Sequence, residues 1–439
     1  MVNLQNKSVT KSQFCKSANS QPEVDKPNGT AYLSYMNTQP HVRFLDRTTP
    51  PHISTLILMT GLSAMNMSIF LPSLNAMADY FDTTYAVMQL SLSGYLAATA
   101  ILQVIVGPIS DRFGRRPVIL TGIGIFIFAS LGALFSPNVE TFLFFRLLQA
   151  CVATSMALSR AIVRDMVSQD QAASTIGYIT MGMALVPMVG PMIGGLLDQL
   201  FNWQATFVFL IIVGCAVFMI CFLDQGETVA GEGMPFSQQV KTYPELLRSP
   251  RFWGYTMCAT FSSGAFFALL GGTSFVASTV FGLSPIWSGA AIGVPAAGYL
   301  VGNFFTARFA VRIGVNKLAL IGACLLAFGM GSSLLLSLLG VSNPLVFFGF
   351  CLFVGLGNGT VLPNTMAGSV SVRPHLAGTA SGLSGAIMVG GGAALSAWSG
   401  ALLTVETGTR PLQWIMFITA ILAVASILAV IKRDQRIKA

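Results

Sequence analysis

Gly107-Pro-Ile-Ser-Asp-Arg-Phe-Gly-Arg-Arg-Pro117 sets one aspartate among three arginines and two glycines. It stands between two apolar runs, residues 86–106 and 117–135. Each run has about 20 residues, and at 1.5 Å per residue that crosses a hydrocarbon core of ~30 Å. Lipid offers the backbone no hydrogen-bond partner, so both runs must be helices. A charged turn joining two such helices belongs at a membrane surface.

The pattern repeats in both directions. Runs at 53–74, 141–160, 172–196 and 203–223 complete a first set of six. Runs at 252–277, 286–306, 316–339, 343–366, 376–402 and 411–431 make a second six. Hydrophobic residues are 54% of the 439 and charged residues 9%, against roughly 25% charged in a soluble domain. The expected class is an all-α polytopic membrane protein. Residues 1–51 are polar and read as a disordered tail. The two six-helix bundles are expected at 52–223 and 252–431. A linker at 224–251 and a short tail at 432–439 complete the chain.

The charges orient these spans. With both termini on one side, Arg410 is the one cation left on the other side, and Arg146 lies inside span four. The rest of the 24 Lys and Arg gather on the side of the termini. That asymmetry marks the side as cytoplasmic. The net charge of +8 then reports orientation in a bilayer rather than affinity for nucleic acid.

The halves share a weak repeat. Arg312 and Gly314, between spans eight and nine, match Arg112 and Gly114, while Val311 replaces Asp111. Gly107 and Gly114 allow a tight turn and close helix approach. Asp111 with Arg112, Arg115 and Arg116 can form a charge-assisted network. Arg146 must face a cavity or a partner, or else snorkel outward, because an arginine at mid-helix in lipid costs roughly 2.5–3.5 kcal/mol or more. Gln149 lies on the same helix face. In span five Gly182, Gly190, Gly194 and Gly195 leave a smooth stripe, and Pro191 bends the helix.

These motifs resemble the major facilitator superfamily. The Gly107–Arg116 turn is similar to the family's loop motif, and Arg146-Leu-Leu-Gln149 is similar to its RxxQG motif, with Ala150 in place of glycine. Gly190-Pro-Met-Ile-Gly-Gly195 resembles the motif associated with antiporters. Ser159-Arg-Ala-Ile-Val-Arg-Asp165 resembles the Bcr/CflA-type branch of multidrug exporters. The resemblance covers about 53–431 and implies a drug:proton antiporter with twelve spans, its bundles related by pseudo-symmetry. It implies a monomer in the bacterial inner membrane, with a small amphiphilic substrate, protons and the lipid bilayer as partners. No cofactor is implied, since a proton gradient supplies the energy. By the same resemblance the turn braces one conformation, with Asp165 a partner of its arginines, and Arg146 takes part in proton coupling.

A substrate cavity is then expected between the halves near the midplane. Its candidates are Asn66 first, then Tyr95, Gln103 and Phe266, and in the second half Tyr299, Asn303 and Asn358. One departure stands out. No Asp or Glu lies deep in any span, although an embedded carboxylate is a ready proton carrier. Asp198, at the outer end of span five, and Arg146 are the coupling candidates that remain. Import or exchange of a metabolite would use the same fold. A membrane-embedded enzyme would need a nucleophile with a base, or a metal cluster, at membrane depth. The span interiors hold no His, Asp or Glu, and the seven cysteines show no CxxC spacing.

Overall fold

A computed structural model describes residues 42–166, 179, 186, 189–228, 243–373 and 376–438. Its helices in chain order are α1 (Ile53–Tyr80), α2 (Tyr85–Phe113), α3 (Arg115–Leu134) and α4 (Val139–Val163). Next come α5 (189–200), α6 (Gln204–Asp224), α7 (Pro250–Val280) and α8 (Pro285–Ala310). The chain closes with α9 (Val315–Leu338), α10 (Pro344–Ser371), α11 (Thr379–Leu402) and α12 (Arg410–Arg436). Eleven of these are long and apolar enough to cross a membrane. Of the fifth run, residues 179, 186 and 189–196 are described, the last as part of α5. Gly182 lies outside the described residues, as do residues 1–41 of the expected tail and 229–242 of the linker.

Local chemistry sets the helix ends. Thr84, Asn138, Ser249 and Asn343 each accept a backbone N–H at the start of α2, α4, α7 and α10, which satisfies a donor the helix leaves free. Pro250, Pro285 and Pro344 occupy the first helical turn, where the missing N–H costs nothing. Gly114 (φ 93°) follows α2 and Gly314 (φ 89°) ends the helical stretch of α8 at Ile313. Side chains avoid that backbone region. The two glycines hold matching places, so the repeat survives in the backbone where Val311 has replaced Asp111. Short irregular turns bend three helices: Leu71–Ser73 in α1, Gln149–Val152 in α4 and the wider turn Val276–Val280 ending α7.

Large apolar side chains such as Phe128, Phe135, Phe304, Phe328 and Leu345 point outward. In water that surface would drive aggregation; in lipid it is solvated. Lipid also removes the hydrophobic drive between helices, so close packing must hold them. In α8 and α10 the backbones meet through glycines. A Cβ on Gly302 would run into the Leu356 carbonyl, and one on Gly355 into that of Pro295.

The hydrogen bonds that join the first six helices to the second cluster at the helix ends remote from the Gly107–Pro117 turn. Asn75 Nδ2 donates to Thr279 Oγ1 (3.0 Å) and to Ser278, and Tyr85 Oη to the Gly271 carbonyl (2.8 Å). Gln89 Nε2 donates to Ser396 Oγ (2.8 Å). At the turn end the ion pairs Arg115–Asp165 (3.2 Å), Arg251–Asp434 (2.8 Å) and Arg373–Glu245 (2.9 Å) each stay within one half.

Two boundaries differ from expectation. Residues 42–51 are not a free tail: the buried Asp224 carboxylate at the end of α6 accepts N–H groups from Leu45 (2.6 Å) and His52 (2.9 Å). At the other end the last helix continues to Lys438 instead of stopping at 431. Asp434 is bonded to Arg251 and Asn316, which ties the extension to the second half.

Candidate functional site

Arg115, nine-tenths buried, is the centre of the turn network. Its guanidinium pairs with Asp111 across the Gly114 turn, contacts Ser110, and reaches Asp165 Oδ2 through Nε at 3.2 Å. Asp165 lies on the helical extension of α4, which runs to Met166. The expected partnership between Asp165 and the turn is therefore present in the geometry. Arg112 and Arg116 stay at the rim: Arg112 lies over the Phe113 ring (5.4 Å), and Arg116 lies over Phe222 (5.3 Å) and donates to its carbonyl (3.0 Å). Gly107 has open space where a Cβ would stand.

Sequence reasoning missed Glu227. Its carboxylate accepts the N–H groups of Arg115 (2.8 Å) and Arg116 (3.3 Å), the free donors at the positive end of α3. A Cβ on Gly114 would collide with that carboxylate, so the glycine serves both the backbone turn and the carboxylate seat. Glu227 lies three residues past α6, more than a hundred positions from its partners, and no local pattern links them.

The second constellation surrounds Arg146, which is fully buried. Nη1 donates to Asn66 Oδ1 (3.0 Å) and to Gln149, and Nη2 reaches the Asn66 carbonyl (3.5 Å). Gln149 Nε2 in turn donates to Ser130 Oγ on α3 (2.8 Å). The guanidinium lies over the rings of Phe70 (4.1 Å) and Tyr95 (5.3 Å). The arginine thus turns inward and does not snorkel. Of the cavity candidates, Asn66 and Tyr95 converge here, from α1 and α2. Phe70 and Ser130 complete the cluster and carried no signal in the sequence, since phenylalanine and serine are ordinary span residues.

The glycine stripe of α5 is a packing surface with two sides. Gly190 faces Ser68 on α1, and a Cβ on Gly194 would strike the Ile69 carbonyl of α1. Gly195 faces the other half, where a Cβ would strike the Pro285 carbonyl of α8. The contact is reciprocal, because a Cβ on Gly289 of α8 would strike the Pro191 carbonyl. Three residues beyond Gly195, just past the expected end of span five, Asp198 is half-buried. It is not among the hydrogen-bonding partners of Arg146.

The remaining candidates scatter. Asn358 accepts from Ser262 Oγ (2.8 Å) between α10 and α7, and Asn303 donates to the Tyr299 carbonyl one turn back (2.8 Å). Gln103 is half-buried opposite Gly385 of α11, and Phe266 packs on Phe267 (ring centroids 5.8 Å apart). Tyr299 stands near enough to Arg160 of α4 for an electrostatic interaction across the halves. Arg160 is half-buried, so a second cation reaches the space between the bundles.

Comparison with known proteins follows this geometry. Residues 56–397 match the family model of the Major Facilitator Superfamily. An uncharacterized MFS-type transporter, YdgK of Bacillus subtilis (strain 168), is 32% identical over 83% of this chain and 91% of its own. A chloramphenicol resistance protein of Pseudomonas aeruginosa is 29% identical over 74% of this chain and 78% of its own. Among solved structures, a D-xylose–proton symporter superposes with a TM-score of 0.67 at 14% identity, over 86% of this chain and 96% of its own. With eleven helices among the described residues long and apolar enough to cross a membrane, paired charges at one turn and a matching family model, the chain belongs to the Major Facilitator Superfamily.

Proposed function

We propose that the protein exports small amphiphilic compounds, drugs among them, by alternating access between its two halves, in exchange for protons. The observation that carries this reading is the asymmetry of contact: the halves are bonded together at the end remote from the Asp111 turn. At the turn end the ion pairs keep to their own half. Among the described residues one gate is bonded shut across the halves, the arrangement from which a rocking mechanism starts. A relative named for chloramphenicol resistance supports the cargo class. The positive-inside count supports a cytoplasmic turn and cytoplasmic termini, in the bacterial inner membrane. The chain works as a monomer, with the proton gradient as its energy source and no cofactor.

Uptake of chloramphenicol and a panel of lipophilic neutral and cationic drugs into everted vesicles tests this directly. Accumulation is expected when the vesicle interior is made acid and should collapse with an uncoupler. If no compound accumulates under any gradient, the export reading fails and import or exchange of a single metabolite takes its place.

In this reading Arg115 braces the cycle through Asp111 and Asp165. Asp111→Asn keeps the shape and removes one charge from a largely buried arginine. A hydrogen bond to a charged group is worth about 1.5–3 kcal/mol, so transport should fall about tenfold or more with normal membrane insertion. Initial rates at matched protein level provide the check, and wild-type rates would remove Asp111 from the cycle.

A further inference from the structure

Arg146 brings a full positive charge to a site with no exposure to solvent. Every group it touches is neutral: the Asn66 amide oxygen and carbonyl, the Gln149 amide oxygen, and the faces of Phe70 and Tyr95. None of the twelve apolar runs contains an Asp or Glu within its interior. The apolar runs themselves therefore offer it no carboxylate, and none is among its partners in the described residues. Guanidinium cannot escape by losing its proton, and an uncompensated buried ion is among the costliest features a protein can hold.

The same place has donors to spare. Arg146 Nε and Asn66 Nδ2 are both buried and make no hydrogen bond of ordinary geometry, Asn66 having only the neutral Tyr95 hydroxyl near it. Buried donors are almost always satisfied. Surplus donors beside an unbalanced cation are the chemistry that captures an anion.

We propose that Arg146 and Asn66 hold a small monoanion, which supplies from outside the chain the counter-charge that the spans omit. Arg146 and Asn66 are shut off from solvent, so the occupant must be compact. Two sources fit: chloride from the medium, or a carboxylate carried on the transported compound. The proposal concerns binding and stands whether or not drugs are the cargo.

The test uses the full-length protein in lipid nanodiscs, with gluconate as the bulk anion and radiolabelled chloride as the probe. Wild type is expected to bind chloride at a saturable site and to melt at a higher temperature in chloride than in gluconate. Asn66→Asp places a carboxylate beside the guanidinium, and this variant should keep its fold, weaken chloride binding by about tenfold or more, and melt at the same temperature in both salts. Arg146→Gln should also lose binding; Asn66→Asp keeps the test decisive if that variant does not fold. Displacement of chloride by acetate but by no transported compound identifies chloride as the occupant. Displacement by a carboxylate-bearing transported compound assigns the charge to the cargo. The proposal is overturned if wild type binds neither chloride nor acetate, or if Asn66→Asp binds chloride as well as wild type does.

Discussion

Arg146→Ala is expected to abolish coupled export while leaving the stability of the protein nearly unchanged. The side chain makes three hydrogen bonds to Asn66 and Gln149, and between membrane helices each is worth roughly 1–2 kcal/mol. Burying an arginine in the membrane interior costs roughly 2.5–3.5 kcal/mol or more. The two are of similar size, so truncation gives back in desolvation about what it loses in bonding. Export driven by a pH gradient should drop to background, about a hundredfold, while ligand binding falls by less than about tenfold. Vesicle flux and equilibrium binding on the same preparation separate the two. Equal losses in flux and binding would assign Arg146 to binding the cargo, and loss of the protein from the membrane would assign it to folding.

Gly195→Leu should hold the molecule open at the end remote from the turn. Backbone meets backbone there, since the Pro285 carbonyl occupies the space a Cβ needs, and Gly289 meets the Pro191 carbonyl in the same way. No rotamer change relieves a collision with a carbonyl. Overpacking of this kind costs typically about 1–3 kcal/mol, and in the rocking cycle proposed above α5 and α8 part when this gate opens, so that cost falls on the closed state alone. The equilibrium should shift by about 5- to 150-fold. Adding Gly289→Leu should approach the roughly 5.5 kcal/mol needed to invert a 1:99 population. A cysteine at Ser278, beside Asn75 in the closed contact, reports the state when placed in a cysteine-free background. Its labelling from outside by an impermeant maleimide should rise as export falls. Unchanged labelling with export lost would mean the substitution damages α5 locally and does not move the gate.

Other positions show how far local pattern reaches. The turn Gly107–Pro117 was legible because its residues answer to neighbours: Asp111 and Arg115 are four residues apart, and Gly114 between them adopts a backbone angle that side chains avoid. Arg146 was legible because charge in an apolar run is rare. Its partners were legible in part. Gln149 follows from helix periodicity and Asn66 from polarity, but Phe70 and Ser130 resemble any other span residue until α1 and α3 are packed beside α4. Asn303 and Asn358 carried the same polar signal as Asn66 and instead bond within and between helices of the second half. Polarity marks a side chain that needs a partner and does not say which partner it finds.

The amino-acid sequence by itself determined the solvent, the helical class, the length and order of the spans and the side on which cations gather, because lipid penalises unpaired backbone and buried charge residue by residue. It also determined that no carboxylate would stand at membrane depth. Only the tertiary structure decided that Glu227 closes the end of α3, that Arg146 turns inward onto neutral partners, and that α5 and α8 of the two halves meet backbone to backbone through Gly195 and Gly289. Those contacts join residues from 80 to more than 100 positions apart. Their energy depends on shape and distance between helices, and within lipid, where apolar surface gains nothing by leaving the solvent, shape is what selects one packing over another.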